Sequence, residues 1–472
     1  MKRETKLIKN TAIIGLGLLC TKGISFLLLP LYTYLLSTSD YGTVDLVFTL
    51  VSLITYTLSL QFEQGVLRFL IDCRGEREEQ TKYISTTFLF ISAVAAVGLG
   101  ITVAICCFVE YKYTLYLVLN IIANLYASIA VQVARGFDKT VTYTFASFIA
   151  ASSYVIFNVL FITVFKWNIG GMLSSFIIGN VLCTVYVFIR CKVFSYIKIK
   201  SFDKKALKEL LKYSLPIVPN TLCWWFVNCS DRLIVSRFLG AGANGIYAVA
   251  NKFPTLFSAI SRVFQISWTE NAAESSNTED RDKYYSKVMN QSICVMIYIC
   301  TCLLTALPLV FKYLINSKYS ESYMNILILL IAAIFCSWSN SYVSLFGALK
   351  YTKTIVFTTL FAAIVNVSVN LIFINKIGLF AASLSTLAAY ALITVISHAL
   401  ISKKADIKYS AADLLTAFSA LAVACVSYCI RNIFLSLVVT IAAVALTFYK
   451  NKNIIVPIAQ KTLSPIVQRI KK

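Results

Sequence analysis

The chain has 472 residues, 58% of them hydrophobic and 14% charged, with a mean hydropathy of +0.77. A soluble domain carries roughly 25% charged residues, so this composition excludes a soluble globular protein and describes a chain that crosses a membrane many times. The net charge of +22 would suggest a nucleic-acid partner in a soluble protein, and the placement of the 43 Lys and Arg residues decides that question.

About 20 apolar residues span a hydrocarbon core of about 30 Å. The N-terminus, MKRETKLIKN followed by an apolar run over 11–36, has the charge pattern of a signal sequence. The run is too long and lacks a small-x-small cleavage site, which predicts a retained first helix. Further spans follow near 43–62, 83–108, 113–134, 141–165 and 171–190, then 213–238, 245–268, 288–311, 322–346, 354–375 and 379–400, and finally 411–430 and 433–449. The expected fold is therefore all-α, with about fourteen transmembrane helices.

Loops on the cytoplasmic side are enriched in Lys and Arg. With both termini placed inside, 32 basic residues fall in the inner loops and tails against 6 outside (Lys112, Lys166, Lys312, Lys318, Lys376, Arg431), and 5 lie within spans. A span missed or invented mid-chain would erase that asymmetry. Membrane topology thus accounts for the positive charge and no nucleic acid is needed. The predicted topology is multi-pass, with both ends cytoplasmic.

The longest inner loop, 191–212, contains FDKKALKELLKYSL, whose Ala206, Leu207, Leu210, Leu211 and Ser214 fall at helical spacing opposite Lys204, Lys205, Lys208 and Lys212. This is the pattern of an amphipathic helix in the interface, and its mid-chain position reads as a linker between lobes. An internal repeat supports two lobes. ARGFDKTVTYTFASFIAASSYVIFNVLFITVFKWNIGGMLSSF (134–176) resembles FGALKYTKTIVFTTLFAAIVNVSVNLIFINKIGLFAASLSTL (346–387), with Lys139-Thr140 answering Lys353-Thr354 and Asn158 answering Asn370. About six spans separate the copies, an even number, so they share one orientation: a parallel repeat of two six-helix lobes about an axis along the membrane normal, with a substrate path between them. The division expected is 1–200 for the first lobe, 201–402 for the linker and second lobe, and 403–472 for two additional helices and a basic tail.

Fourteen Cys are scattered, mostly in apolar segments, with no C-x-x-C spacing and one His, His398. No metal or other cofactor is expected. The outer loops are too short to fold into an external catalytic segment, and no Walker A sequence occurs, so neither a polymerase or ligase nor an ATPase is predicted.

Two stretches carry a family resemblance. LLPLYTYLLSTSDYGTVDLVFTLVSLITYTLSLQFEQGVLRFL (28–70) and LLKYSLPIVPNTLCWWFVNCSDRLIVSRFLGAGANGIYAVANKFPTLFSAI (210–260) resemble bacterial oligosaccharide flippases, the polysaccharide-exporter branch of the multidrug/oligosaccharidyl-lipid/polysaccharide superfamily. The matching features are Pro216, Pro219, Asp231-Arg232, Gly240, Gly245, Tyr247 and Lys252. The resemblance implies a V-shaped two-lobe fold. It also implies alternating-access export of an undecaprenyl-pyrophosphate-linked oligosaccharide for O-antigen or capsule, with polymerase and other polysaccharide-assembly proteins as partners beside membrane lipids. A multidrug or small-cation antiporter on the same fold is the alternative. That chemistry favours carboxylates in the cavity.

Ionisable groups at membrane depth cost about 2.5–3.5 kcal/mol each on insertion scales, so they mark candidate sites. The spans enclose Lys22, Arg232, Arg237, Lys252 and Arg262, with Asp231 the clear acid among them. Lys22 lies about 16 Å into the first span, near the midplane, where it either lines a hydrated cavity or pairs with an acid such as Asp45 or Glu63. Lys252 and Arg262 point about 80° apart on one helix and can border one cavity at two depths. Asn220, Trp224, Asn228 and Asp231 share a face of the seventh span. Asp231 and Arg232, near its outer end, read as an outer gate or an ion pair, flanked by Asn228 and by Arg237 nearer the surface. A pyrophosphate diester carries about two negative charges that hydrocarbon cannot solvate; Lys supplies a point charge and Arg a planar fork for its oxygens. Lys22, Lys252 and Arg262 are therefore the expected substrate-binding cations. Moving two negative charges outward from an inside-negative cytoplasm releases about 4.6 kcal/mol at 100 mV. Asp231, Asp45 and Glu63 are the candidate acids for coupling to Na⁺ or H⁺.

Overall fold

A computed structural model describes residue 23 and residues 26–470, with side chains except at 352 and 452–470. Lys22 falls outside the described residues. Helix α1 (Leu29–Leu35) carries Pro30 in its first turn, where a missing N–H costs nothing. Leu36 is extended, and the Ser37 side chain accepts from the Asp40 amide to cap α2 (Thr38–Ser59). The chain then passes through α3 (Phe62–Asp72), α4 (Arg77–Phe108), α5 (Thr114–Gly136), α6 (Thr140–Val159, extended by a π turn over Leu160–Val164) and α7 (Asn168–Cys191). These form the first lobe.

The linker helix α8 (Lys204–Ser214) is capped by Asp203, whose carboxylate accepts from the Ala206 amide at 2.7 Å and is thereby held below its usual range. Its apolar side buries Ala206 and Leu210 in the first-lobe core against Phe62, Val66, Leu70 and Ile84, while Lys204, Lys205 and Lys208 remain in solvent or intermediate. The amphipathic pattern thus describes a helix packed on the protein, with its basic face free.

The second lobe comprises α9 (Val218–Ala250), α10 (Lys252–Glu274), α11 (Arg281–Leu314), α12 (Ser322–Ala348), α13 (Thr352–Ile377) and α14 (Leu379–Ile401). α15 (Ala411–Ile430) and α16 (Ile433–Ile470) follow and pack on α11. The repeat is visible in the packing: α7 lies against α5 and α6 as α14 lies against α12 and α13. Asn158 and Asn370, matched in the repeat, are both fully buried.

Helix α9 runs through a single non-helical residue, Gly240, at φ 86° and ψ 171°. The chain reverses there. A straight helix would separate Asp231 from Tyr247 by about 24 Å, yet the Tyr247 hydroxyl donates to Asp231 Oδ2 at 2.9 Å. Glycine provides the positive φ, and the expected outer loop at 239–244 reduces to this one residue. Among the described residues, twelve helical stretches are long and apolar enough to span a membrane, and the one from Lys204 to Asn277 contains this reversal and therefore two crossings. Large apolar side chains such as Phe357, Leu415, Phe434 and Ile441 stand exposed on the outside of the bundle, as lipid contact requires.

The lobes meet along α2 and α9. At one end the approach is backbone to backbone: a Cβ on Gly42 would overlap the Ala241 carbonyl, and one on Gly245 the Thr38 carbonyl. Polar bonds join the lobes at the same end. Asn244 Nδ2 donates to Gly42 O at 2.8 Å, Tyr319 Oη to Ser37 O at 3.0 Å and Thr33 Oγ1 to Leu314 O at 3.1 Å. This is the sealed end. At the other end, the open one, side chains of α2 and α9 line a cavity.

Candidate functional site

The cavity comprises three compartments that share walls. The first, about 550 Å³, is lined by Asp45, Phe48, Asn124, Tyr154, Arg232 and Lys252 among others. It shares Arg232, Asn251 and Thr255 with a second-lobe compartment of about 450 Å³. That one shares Asn228, Cys229, Ser258 and Arg262 with a third, about 690 Å³, which runs toward the open end past Ser52, Tyr56, Gln61, Glu63 and Trp224. Lys252, Arg232 and Arg262 thus mark one path at successive positions.

Arg232 is ion-paired across the lobes. Its Nε lies 3.0 Å from Asp45 Oδ2 on α2, with both side chains about four-fifths buried. Neither atom finds an aligned hydrogen-bond partner, so this is a contact of charges whose guanidinium keeps donors for a further acceptor. Lys252 Nζ stands 5.9 Å from the centre of the Tyr41 ring, a cation–π distance. Pro254 lies in the first turn of α10, and the helical path breaks at Asn251, three residues earlier than Pro254.

Asp231 meets other neighbours, so the ion pair expected in this stretch joins Arg232 to Asp45 and not to Asp231. Neighbours on a helix point about 100° apart and do not meet. Asp231 is buried inside the second lobe, where it accepts from Tyr247 (2.9 Å), Asn370 Nδ2 (2.9 Å) and Thr386 Oγ1 (2.6 Å), with Ser385 Oγ at 3.5 Å. Donors from three helices satisfy both its oxygens, as a carboxylate in a low-dielectric interior requires. Asn228 accepts from Tyr390 at 2.6 Å and borders two compartments. Arg237 is exposed, and among the described residues no ion pair engages it.

Asp45 is committed to Arg232 and Glu63 stands at the open end of the cavity. With Asp231 reaching the second-lobe compartment, three acids and three cations line the described cavity. Counted by compartment, two cations face one acid in the first (Lys252 and Arg232 with Asp45) and in the second-lobe compartment (Arg232 and Arg262 with Asp231), and one faces one in the third (Arg262 with Glu63). Sequence reasoning missed Thr386 and Ser385 around Asp231, the Gly42–Gly245 approach and Gln61. The run Ser383-Leu384-Ser385-Thr386 inside an otherwise apolar helix was the available signal for the first of these.

Comparison with known proteins agrees with this architecture. A sequence family described as polysaccharide biosynthesis protein matches residues 7–269. An uncharacterized membrane protein of Methanocaldococcus jannaschii is 24% identical over 402 residues, which is 81% of this chain and 94% of that protein. Among solved structures, the lipid II flippase MurJ in an inward closed conformation superposes with a TM-score of 0.69 at 14% identity, over 92% of this chain and 98% of that one. An inward-facing multidrug resistance MATE transporter gives 0.64 at 12% identity, over 82% and 95% respectively. At these identities the structural likeness establishes the two-lobe fold.

Proposed function

Since the chain belongs to the polysaccharide biosynthesis protein family, we propose that it is a flippase for undecaprenyl-pyrophosphate-linked oligosaccharide. In this reading it carries repeat units across the cytoplasmic membrane by alternating access, for O-antigen or capsule assembly, and hands them to polymerase and assembly proteins outside. The observation that carries this reading is the first compartment, where Lys252 and Arg232 offer two cations against one acid beside the lobe boundary. A phosphate oxygen arriving there competes with Asp45 for Arg232. Truncating one partner of a buried pair costs about 3–5 kcal/mol; exchanging Asp45 for phosphate keeps Arg232 paired, leaves the Asp45 carboxylate to the cavity it lines, and releases one tie between the lobes. Cargo binding is thereby coupled to lobe separation.

In this reading the Lys- and Arg-rich loops and both termini are cytoplasmic, which puts the open end at the cytoplasm and the sealed end outside, so that this conformation accepts cargo from within. Deleting the gene should stop surface polymer and leave lipid-linked repeat units at the cytoplasmic leaflet, with drug susceptibility unchanged. Normal polymer together with increased drug sensitivity would instead identify the multidrug antiporter.

The second-lobe carboxylate suits a coupling role. Asp231 holds four polar side chains around it, and Asn370 Oδ1 is buried without a partner beside it. An acid so placed can exchange a proton or hold Na⁺, which a satisfied structural salt bridge cannot. In proteoliposomes, Asp231→Asn should leave the cargo-binding cations intact but remove the dependence of transport on an imposed Na⁺ or pH gradient. Full gradient dependence in that variant would exclude Asp231 from coupling.

A further inference from the structure

Between α2 and α3 the backbone does something no local residue demands. Leu60 (φ 47°, ψ 26°) and Gln61 (φ 58°, ψ 26°) are both left-handed, and neither is glycine. Such conformations are strained for non-glycine residues and persist where the surroundings hold them, commonly at ligand sites. Broken helices in a membrane protein are tolerated where they line a wet cavity. This break turns two polar side chains into the open-end compartment. Gln61 is 4% exposed and its Nε2 has no partner; Glu63 is 8% exposed and its Oε2 has none. A buried hydrogen bond left unmade is unfavourable, so an amide donor and a carboxyl acceptor two residues apart are both left to be satisfied by whatever enters. Across the compartment, Trp224 presents a partly exposed indole, while Trp225 is buried and fixed by its Nε1 bond to Ser52 at 2.8 Å. Asn228, Asn340 and Gln265 supply further amides to the wall.

We infer that this compartment is a subsite for an uncharged sugar ring, with Gln61 donating to one hydroxyl, Glu63 accepting from another, and Trp224 covering the apolar face of the ring. The inference rests on the flippase reading and adds what that reading does not contain: where the glycan sits relative to the pyrophosphate, and that a uronate is disfavoured there because its carboxylate would meet Glu63.

The test uses the full-length protein in nanodiscs. Tryptophan fluorescence is titrated with methyl glucoside, methyl galactoside, N-acetylglucosamine and glucuronate, and inorganic pyrophosphate binding is measured separately by calorimetry. At least one neutral sugar should bind, with glucuronate about tenfold weaker or worse. Gln61→Ala and Glu63→Ala should each weaken the neutral sugar by about tenfold, equivalent to one lost hydrogen bond to a buried group. Both variants should retain pyrophosphate binding, which also reports that they are folded. Neutral sugars bound equally by wild type and both variants, glucuronate bound as well as the neutral sugars, or no sugar bound at all would each overturn the subsite. Loss of pyrophosphate binding in the wild-type protein would instead strike the cation reading, so the two failures are distinguishable.

Discussion

Lys252→Ala should abolish surface polysaccharide while the protein still inserts at normal levels, and Lys252→Arg should retain more function than Ala. Among the described residues, Lys252 is the cation of the first compartment with no ion pair, since Arg232 is held by Asp45. Without it the compartment is neutral, and a diphosphate with about two negative charges must leave water for a site offering no net attraction. One charge-assisted hydrogen bond contributes about 1.5–3 kcal/mol, which corresponds to about 10- to 150-fold in occupancy. Lys22→Ala is expected to act in the same direction. Adding Asp45→Asn to the Lys252→Ala background should recover part of the loss, because it frees Arg232 for phosphate. Immunoblotting of the polymer in a deletion strain, alongside membrane levels of each variant, provides the measurement. Normal export by both alanine variants would remove these cations from cargo binding.

That the sequence singled out Lys252, Asp231 and Arg232 without showing which neighbours they meet has a physical reason. Spans are legible because each needs about 20 apolar residues, and orientation is legible because Lys and Arg remain on one side; both are sums over many residues. Direction round a helix is a local matter that sequence also contains: residues at i and i+1 diverge, so Asp231 and Arg232 had to serve different neighbours. Which neighbours they serve is tertiary. Asp45 lies on a helix of the other lobe, and Asn370 and Thr386 lie more than 130 positions along the chain. The break at Leu60–Gln61 was invisible for a different reason: it contains neither Gly nor Pro, so nothing local signals it. Gly240, by contrast, was noted in the sequence, and only the bond between Asp231 and Tyr247 revealed how complete its reversal is.

Gly245→Leu should eliminate transport without unfolding either lobe, because it acts where the lobes touch and nowhere within them. At the sealed end Gly42 and Gly245 bring α2 and the segment after Gly240 together so closely that any side chain on Gly245 would collide with the Thr38 backbone. Backbone cannot yield as a flexible side chain can, so the lobes must separate by the width of the added group. Separation also breaks the bonds from Asn244 to Gly42 and from Tyr319 to Ser37. Overpacking a fitted contact costs typically 1–3 kcal/mol, and together with two hydrogen bonds at about 1 kcal/mol each that penalty falls wholly on the conformation sealed at this end. A two-state transporter penalised by about 3–5 kcal/mol in one state shifts its population by roughly 150- to 5,000-fold toward the other. Cysteine labelling checks this directly. A reporter at Ala241, only partly exposed beside the seam in the wild-type chain, should react faster with a membrane-impermeant maleimide added outside in the Gly245→Leu variant, and export should fall with it. If the reporter reacts no faster and export persists, the glycine contact is not the seal, and closure at this end must depend on the hydrogen bonds alone.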